Sequence, residues 1–455
     1  MAAGLALAGL LLLAALLQFG LARLEGTSPR PLSGDEKRYV AVATAWAAGV
    51  PAELDPLWPP GYSATLAMLL RCGHSLTWVI AFQIIALLAA GGALAGVARE
   101  AGASPPVAAL AGSLLVLDPE VAAFARLFWP EVLHLALLLV ALWLAMLLLP
   151  RSLAPPLIDS PAVARRFRPL LLALFGAFLG AAIAVKSLML PFVPVLVLPL
   201  LRAPSPRERL ARGLLVLLPF LLVLTPVLLF EHSRSGAWGI GDSARFNLWV
   251  GLTDRSPRSL VEDRTWSEYL LYQESGATFA ERQSVLAQRL SDLVEARGVP
   301  AILAGQFPRQ YFRLFDRESY FSAMLPTGGN RFLSGEGYRD APRTLARLLG
   351  NFEILLYATI LLCAPFGLVR LVRERRRGAL WIVGLLAYQL GLFYFVHVKA
   401  RYRLTLLPLL ILGAAWAART VWRRGCAGEL PISRVDLALG GAGGALLLFF
   451  AFGAP

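Results

Sequence analysis

The sequence Gly34-Asp35-Glu36-Lys37-Arg38-Tyr39 follows an apolar run at residues 2–22. A run of that length can cross the roughly 30 Å core of a bilayer as one helix. The charged stretch opens an amphipathic segment at residues 35–46, which leads to the turn-rich sequence Leu57-Trp58-Pro59-Pro60-Gly61-Tyr62. Two acids, two bases and a tyrosine beside a membrane span predict a polar site at a membrane face rather than a simple anchor.

The composition of the chain predicts an all-α polytopic membrane protein. Hydrophobic residues make up 57% of its 455 positions. Residues 2–22 lack the basic start and the cleavage pattern of a signal peptide, so a retained first span is expected. The three cysteines lie far apart and predict no disulfide framework. About eleven transmembrane helices are predicted, at about 2–22, 77–98, 105–117, 131–149, 169–185, 188–201, 213–230, 350–369, 379–396, 404–421 and 435–453.

The net charge of +14 could indicate a nucleic-acid partner, but membrane topology explains it better. If the N-terminus is cytoplasmic, the cytoplasmic connections carry clustered arginines and few acids, as the positive-inside rule requires. These arginines are Arg151, Arg165, Arg166, Arg168, Arg202, Arg207, Arg209, Arg212, Arg370, Arg373, Arg375, Arg376, Arg377, Arg419, Arg423, Arg424 and Arg434. The C-terminus then lies outside, and the partners expected from this pattern are membrane lipids and no nucleic acid.

The stretch at residues 169–201 has arginines at both ends, so both ends are expected to be cytoplasmic. As one helix its roughly 33 residues would rise about 50 Å, more than a bilayer core of about 30 Å. A re-entering hairpin of two short helices, with Lys186 near its tip on the outer side, fits both facts. Lys186 then faces a polar cavity or partner, or it snorkels to the surface.

The chain is expected to form three regions. Residues 1–230 are an N-terminal transmembrane module with acidic outer loops, residues 231–349 an extracytoplasmic domain, and residues 350–455 the C-terminal transmembrane helices. The middle region carries the helix-start patterns Ser259-x-x-Glu262, Thr265-x-x-Glu268 and Thr278-x-x-Glu281, which predict a small, mostly helical domain with juxtamembrane helices. Its aromatic and arginine residues at 311–320 either shape an acceptor groove or simply pack and anchor the domain.

The candidate site gathers charged residues from connections that share the outer face. The chain has no Walker, Rossmann or zinc-protease motif, and its four histidines have no ligand-like spacing. Two carboxylates from different helices can divide general-base and metal-binding duties. Several cations at one depth can hold a phosphate. Each acid could instead cap the helix that it begins. The residues are Asp35, Glu36, Arg38, Tyr39, Glu131, Lys186, Lys399, Arg401, Tyr402 and Arg403.

The ordered motifs resemble those of the GT-C membrane glycosyltransferases, in particular the aminoarabinose transferases of lipid A and the protein O-mannosyltransferases. The resemblance begins with Asp-Glu-x-x-Tyr at residues 35–39 and Pro-Pro-x-Tyr at residues 59–62. It covers most of the chain. Its later parts are Leu117-Asp118-Pro119, Trp129-Pro130-Glu131, the Gly-to-Lys stretch at 180–186, Asn247-Leu248-Trp249-Val250-Gly251, and Ala400-Arg401-Tyr402-Arg403-Leu404 with Pro408.

The resemblance implies an inverting hexosyl or pentosyl transfer from a polyprenyl-phosphate donor to a lipid, glycan or protein acceptor. It implies the bacterial cell (inner) membrane, with the active site on the extracytoplasmic face. Asp35 would be the catalytic base, and Glu131 the second carboxylate, as metal ligand or orienter of the acceptor. No cofactor is certain, and a divalent metal ion is left open. The expected substrate-binding residues are Glu36, Arg38, Tyr39, Tyr62, Lys186, Arg401 and Tyr402.

A transporter or flippase for a lipid-linked or anionic solute is the alternative, because intramembrane charges also suit transport. In a transporter the charges would more often lie near the midplane, in related halves of the chain. Here they crowd one face, beside a large outer region. A third interpretation, a structural subunit of an envelope assembly, would leave the outer acids without a role.

Overall fold

The computed structural model describes residues 2–25, 32, 34–73, 75–149, 161–241, 243–256, 264–325, 342–427 and 433–453. Every regular element within these ranges is a helix. Three features of the sequence lie outside the described residues: His74, Arg151 and the pattern Ser259-x-x-Glu262.

The chain forms long apolar helices and shorter helices, several of which are polar. The α-helices are α1 (Ala2–Glu25), α2 (Asp35–Ala47), α3 (Gly61–Gly73), α4 (Leu76–Glu100), α5 (Pro105–Leu117), α6 (Pro119–Phe124), α7 (Glu131–Leu148), α8 (Pro161–Val185), α9 (Val193–Val197), α10 (Pro206–Ser235), α11 (Ala244–Thr253), α12 (Arg264–Glu274), α13 (Phe279–Arg297), α14 (Val299–Gln306), α15 (Arg309–Phe315), α16 (Tyr320–Met324), α17 (Arg343–Arg373), α18 (Ala379–Phe395), α19 (Leu407–Ala427) and α20 (Arg434–Phe452). The 3₁₀ segments are Ser187–Phe192, Leu198–Leu201 and Ala400–Thr405.

The predicted fold class is confirmed: the chain is an all-α, polytopic membrane protein. Among the described residues, six helices are long and apolar enough to cross a membrane by length and composition: Leu76–Glu100, Glu131–Leu148, Phe167–Val185, Pro206–Ser235, Arg343–Arg373 and Arg434–Phe452. Shorter apolar helical segments are Leu12–Arg23, Pro105–Leu117, Ser187–Leu201, Ala379–Phe395 and Leu407–Trp422. Together these segments correspond to the apolar runs predicted from the sequence.

Glycines allow the apolar helices to approach each other closely. At the contact of α4 with α5, a Cβ on Gly112 would lie 2.6 Å from the carbonyl oxygen of Gly91. At the contact of α17 with α19, a Cβ on Gly367 would lie 1.7 Å from the carbonyl oxygen of Gly413. Small residues at such crossings let van der Waals packing hold helices together where no water drives association.

The chain breaks at Lys186, as the sequence predicts. Helix α8 ends at Val185, and Lys186 is extended, with φ −148° and ψ 119°. The second half of the predicted hairpin is not one helix, because it consists of two 3₁₀ segments around the short α9. Prolines recur there at positions 191, 194 and 199, and each removes a backbone donor that a continuous helix would use. The re-entering course through the membrane stays a prediction.

Helices are the regular elements that the structure describes between α10 and α17. Thr278 caps α13, since its side chain accepts a hydrogen bond from Glu281 N while the Glu281 side chain accepts one from the cap backbone. The sequence pattern for this capping box is therefore confirmed. Helix α10 continues to Ser235 and α17 begins at Arg343, so the boundaries at 231 and 349 cut into these helices and the division into domains stays a prediction.

Arginines of the predicted cytoplasmic connections form ion pairs between helices. Arg370 Nη1 lies 3.0 Å from Asp436 Oδ2, which joins α17 to α20. Arg377 pairs with Glu100 at the end of α4. These arginines therefore hold neighbouring helix ends together, in addition to any part that they play in orienting the chain in the membrane.

Candidate active site

Asp35 begins α2 and points into a cluster of charges. The preceding Gly34 has φ 48°, a left-handed conformation that glycine adopts without a steric penalty. Asp35 Oδ2 lies 2.9 Å from Arg401 Nη2, and the Asp35 side chain keeps 34% of its surface exposed. Burial raises the pKa of Asp35, but Arg401, Lys399 and Arg38 together outweigh burial and lower it. Asp35 is therefore ionised.

Glu131 begins α7 directly after Pro130, and its side chain is only 3% exposed. Glu131 Oε1 lies 2.9 Å from Lys186 Nζ and 3.7 Å from Arg401 Nε. Within the described part of the chain, its second oxygen, Oε2, is buried without a hydrogen-bond partner. Glu131 therefore connects the two cations and keeps one oxygen free for a further contact.

Lys186 reaches this cluster from the break that follows α8. The first residue of α3, Gly61, packs against the last turn of α8, where a Cβ would lie 2.3 Å from the carbonyl oxygen of Ala184. The turn at residues 59–62 therefore supports the backbone two residues before Lys186. The ammonium group also lies 5.6 Å from the centroid of the Tyr402 ring, a distance at which a cation is attracted to an aromatic face.

Arg401 is the centre of the cluster. It lies in the 3₁₀ segment Ala400–Thr405 and contacts both carboxylates. Its guanidinium carbon is 4.5 Å from the ring centroid of Trp129 and 5.7 Å from that of Tyr320. Burial lowers the pKa of Arg401, but Asp35, Tyr320 and Glu131 raise it well above its usual range. The side chain is therefore a permanent cation held between acids and rings.

The predicted tyrosines lie beside these charges. The rings of Tyr39 and Tyr62 meet edge to face with centroids 5.1 Å apart. The Tyr62 hydroxyl donates to Gln83 Oε1 at 2.9 Å. Burial is the largest cause that raises the pKa of Tyr39 and of Tyr62, with the acids nearby adding to it, so both hydroxyls stay protonated. Tyr402 packs below Lys186 and Arg401.

Two predicted residues direct their side chains elsewhere. Glu36 is fully buried and its Oε1 accepts a hydrogen bond from Phe128 N at 2.8 Å. Arg38 lies over the Trp58 ring, 4.4 Å from its centroid, and donates to the Tyr269 hydroxyl at 3.0 Å. Glu36 thus ties α2 to the loop before α7, and Arg38 ties α2 to α12. Their roles in substrate binding stay predictions.

The structure adds a buried ion network that the sequence interpretation did not identify. Arg403, 2% exposed, lies 2.7 Å from Glu120 Oε2 and 3.4 Å from Glu353 Oε1. Glu120 also accepts a hydrogen bond from Tyr320 N at 3.3 Å, and Tyr320 packs against Trp129. The network therefore anchors the 3₁₀ segment Ala400–Thr405, which also carries Arg401. In the sequence, only the pattern Asp118-x-Glu120 beside the apolar run at 105–117 could have indicated that Glu120 has a role.

Metal binding at this site would depend on two carboxylates, Asp35 and Glu131. Within the described ranges, no group of three or more histidine, cysteine, aspartate or glutamate side chains could hold a metal. Asp35 and Glu131 are each paired with a cation, which a divalent ion would have to displace. The divalent ion that the sequence left open stays a prediction.

Comparisons with known proteins give matches only among solved structures. No protein-family model and no curated protein matches the chain. The chain is similar over 98% of its length to the apo oligosaccharyltransferase of Archaeoglobus fulgidus, with 10% identity and a TM-score of 0.49. It is similar, with 10% identity and a TM-score of 0.45, to an archaeal oligosaccharyltransferase of the same organism in complex with an inhibitory peptide and a dolichol-phosphate. The chain spans about half of each matched chain, 55% and 54%. At these TM-scores the functional proposal rests on the residues of the cluster.

Proposed function

We propose that this chain transfers a sugar from a polyprenyl-phosphate donor to an acceptor hydroxyl at the extracytoplasmic face of a bacterial inner membrane. The observation that carries the proposal is the meeting of Asp35, Glu131, Lys186 and Arg401 in one ion-paired cluster. These residues belong to segments far apart in the sequence. Charged groups at the edge of a membrane protein's interior are costly, so their convergence favours a functional site over separate helix caps.

The two cations suit the phosphate of a lipid-linked donor. When the sugar leaves, negative charge grows on the phosphate oxygen that was bonded to the sugar. Cations already held in place stabilise such charge without reorganising. The Arg401 guanidinium can grip two phosphate oxygens, and the Lys186 ammonium adds a point charge beside it. Both are anchored by Glu131, which would keep them in position.

Asp35 suits the role of general base. Its lowered pKa reflects the pairing with Arg401, so the negative charge of a phosphate bound to Arg401 would offset that cation and make the carboxylate a stronger base. The acceptor hydroxyl then transfers its proton to Asp35 while its oxygen forms the new bond to the anomeric carbon. The bond from that carbon to the phosphate oxygen breaks with its electron pair. Attack opposite the leaving phosphate inverts the configuration, and a hydroxyl on a lipid, glycan or protein fits this chemistry.

Replacing Asp35 with asparagine tests the proposal. Asp35→Asn keeps the shape of the side chain and removes the base, so transfer to the acceptor should fall by about 10²- to 10⁴-fold. Donor binding, measured by competition with free polyprenyl phosphate, should stay within a few-fold of wild type. Glu53→Gln is a matched control, because Glu53 is an exposed acid of the same outer loops. Wild-type turnover in Asp35→Asn would exclude Asp35 as the base. Movement of an intact lipid-linked substrate without sugar transfer would support the transporter.

A further inference from the structure

Trp129 is a buried residue of the cluster with an unused hydrogen-bond donor. Its side chain is 4% exposed and lies two residues before Glu131. The ring contacts the Tyr320 ring with centroids 5.1 Å apart, and the Arg401 guanidinium lies over it. Within the described residues its indole nitrogen, Nε1, has no hydrogen-bond partner. Buried polar groups are usually paired, and this donor differs from other unpaired ones in lying within the ion-paired cluster, where a ligand can accept its hydrogen bond.

The edge of the indole that carries Nε1 lies beside the start of α2. Cζ2 of Trp129, two bonds from Nε1, lies 3.9 Å from the position that a Cβ would take on Gly34. Gly34 directly precedes Asp35, the proposed base. Trp129 therefore stands under Arg401 with one edge next to the segment that presents Asp35.

The same cluster contains an unused acceptor. Glu131 Oε1 binds Lys186, whereas Glu131 Oε2 is buried without a partner. A hydroxyl group can accept a hydrogen bond from an indole N–H and donate one to a carboxylate oxygen. A hydroxyl of a ligand that lies between the two buried atoms could therefore satisfy both, whereas the phosphodiester of the donor has no proton to donate and an alkyl chain has neither group.

We propose that Trp129 Nε1 and Glu131 Oε2 bind a hydroxyl of the donor sugar, so that this pair discriminates among sugars. The inference rests on the proposed function and identifies which part of the donor these atoms contact. The sugar of the donor is bonded directly to the lipid phosphate. The sugar hydroxyls lie within a few bonds of this phosphate. A phosphate held by Arg401 and Lys186 therefore places them near Trp129 and Glu131.

The test separates the N–H group of Trp129 from its ring. Trp129→Phe keeps an aromatic ring under Arg401 and removes the N–H donor together with one ring of the indole, and the control must share that loss of volume. Trp416→Phe is the matched control. Trp416 is fully buried, its Nε1 also has no hydrogen-bond partner within the described residues, and Arg419 lies 4.5 Å from its ring centroid. Trp416 belongs to α19, among arginines of the predicted cytoplasmic side. Both variants are purified as full chains and checked by thermal unfolding.

Binding is measured with decaprenyl methyl phosphate (the bare phosphate, a diester with the single charge of the donor and no sugar) and with decaprenyl phosphates that carry glucose, mannose or arabinose. Wild type should bind one sugar-bearing lipid more tightly than the bare phosphate. Trp129→Phe should weaken the binding of that lipid by about three- to tenfold, the size of one neutral hydrogen bond, and leave the binding of the bare phosphate unchanged. Trp416→Phe should change neither. A second measurement uses wild type labelled with ¹⁵N at the indoles and serves as the readout if Trp129→Phe does not fold. One indole N–H resonance should shift when the sugar-bearing lipid is added and should not shift when the bare phosphate is added.

Other results overturn the inference. If Trp129→Phe weakens both lipids equally, the ring only supports Arg401. If it weakens neither, or if Trp416→Phe gives the same loss, no sugar contact exists at Trp129. The same conclusion follows if no indole resonance distinguishes the two lipids. It also follows if wild type binds the bare phosphate at least as tightly as every sugar-bearing lipid. If wild type binds none of these lipids, the proposed function itself fails, and this result differs from all the others.

Discussion

Arg401 contacts both carboxylates of the cluster and three aromatic rings. Substitutions can separate the effect of its shape on phosphate binding from the effect of its charge. Arg401→Ala should weaken competition by free polyprenyl phosphate by about 10- to 100-fold, since a charge-assisted hydrogen bond contributes about 1.5–3 kcal/mol. Arg401→Lys keeps the charge, yet it should still lose several-fold because an ammonium cannot grip two phosphate oxygens in the same way. The measurement is the competition constant of purified variants that unfold at the wild-type temperature.

Arg317→Ala is the control for this series, because Arg317 is an exposed arginine of the same outer region. It should bind the lipid phosphate as wild type does. Wild-type binding by both Arg401→Ala and Lys186→Ala would place the phosphate site elsewhere and leave Arg401 as an interfacial anchor.

At the residue scale, the sequence could predict which residues carry charge at the outer face but not where each side chain points. Glu131, Lys186 and Arg401 each stand at or near the end of an apolar run, and Asp35 opens the amphipathic segment that follows the first run. Residues at the membrane ends of such runs collect at one depth. Neighbours in sequence nevertheless diverge. Glu36 turns inward to Phe128 N, although it is adjacent to Asp35. Such directions depend on helix rotation and on partners distant in the chain, which no local pattern records.

Helix α3 gives a prediction at the scale of elements. In Gly61→Ala the new Cβ would lie 2.3 Å from Ala184 O, so the backbone before Lys186 must move. Overpacking of this kind costs about 1–3 kcal/mol, and we expect a lower unfolding temperature together with weaker binding of polyprenyl phosphate. Gly92→Ala is the control, since nothing lies within 4 Å of its Cβ position. Loss of stability with unchanged phosphate binding would show that α3 does not position Lys186.

The buried network of Arg403 predicts an order of stabilities. Removal of one partner from a buried ion pair costs about 3–5 kcal/mol, because it leaves the other charge uncompensated. Glu120→Gln leaves Arg403 with Glu353, whereas Arg403→Met leaves both Glu120 and Glu353 without their cation. Arg403→Met should therefore unfold at the lower temperature in a thermal scan. The reverse order would mean that Glu353 is not a partner of Arg403 in the folded protein.

Elements of the chain were predictable to different degrees, for physical reasons. Continuous apolar runs predicted α4, α7 and α18 almost to the residue, because in a bilayer only a helix satisfies the backbone of such a run. The segment after Lys186 was predicted as a helix but is divided by prolines into short turns. The helix α6 was not predicted. Its cap residue, Asp118, accepts a hydrogen bond from Val121 N, but in the sequence such an acid cannot be told from one in a loop.

At the scale of the whole molecule, the prediction still to be tested is the orientation in the membrane. The proposed site requires residues 35, 131, 186 and 401 to share the outer face, and the arginine distribution requires the connection after α17 to lie inside.

A single cysteine can report each face once the three native cysteines are replaced by alanine. Ala280 in α13 and Arg375 are exposed positions for this purpose. Arg375 already has φ 50°, so cysteine there adds no new backbone strain. A membrane-impermeant maleimide applied to intact cells should label Ala280→Cys and should label Arg375→Cys only after the membrane is permeabilised. Labelling of both from outside would contradict the topology, and labelling of Arg375→Cys alone would invert it and place the charged cluster on the cytoplasmic face.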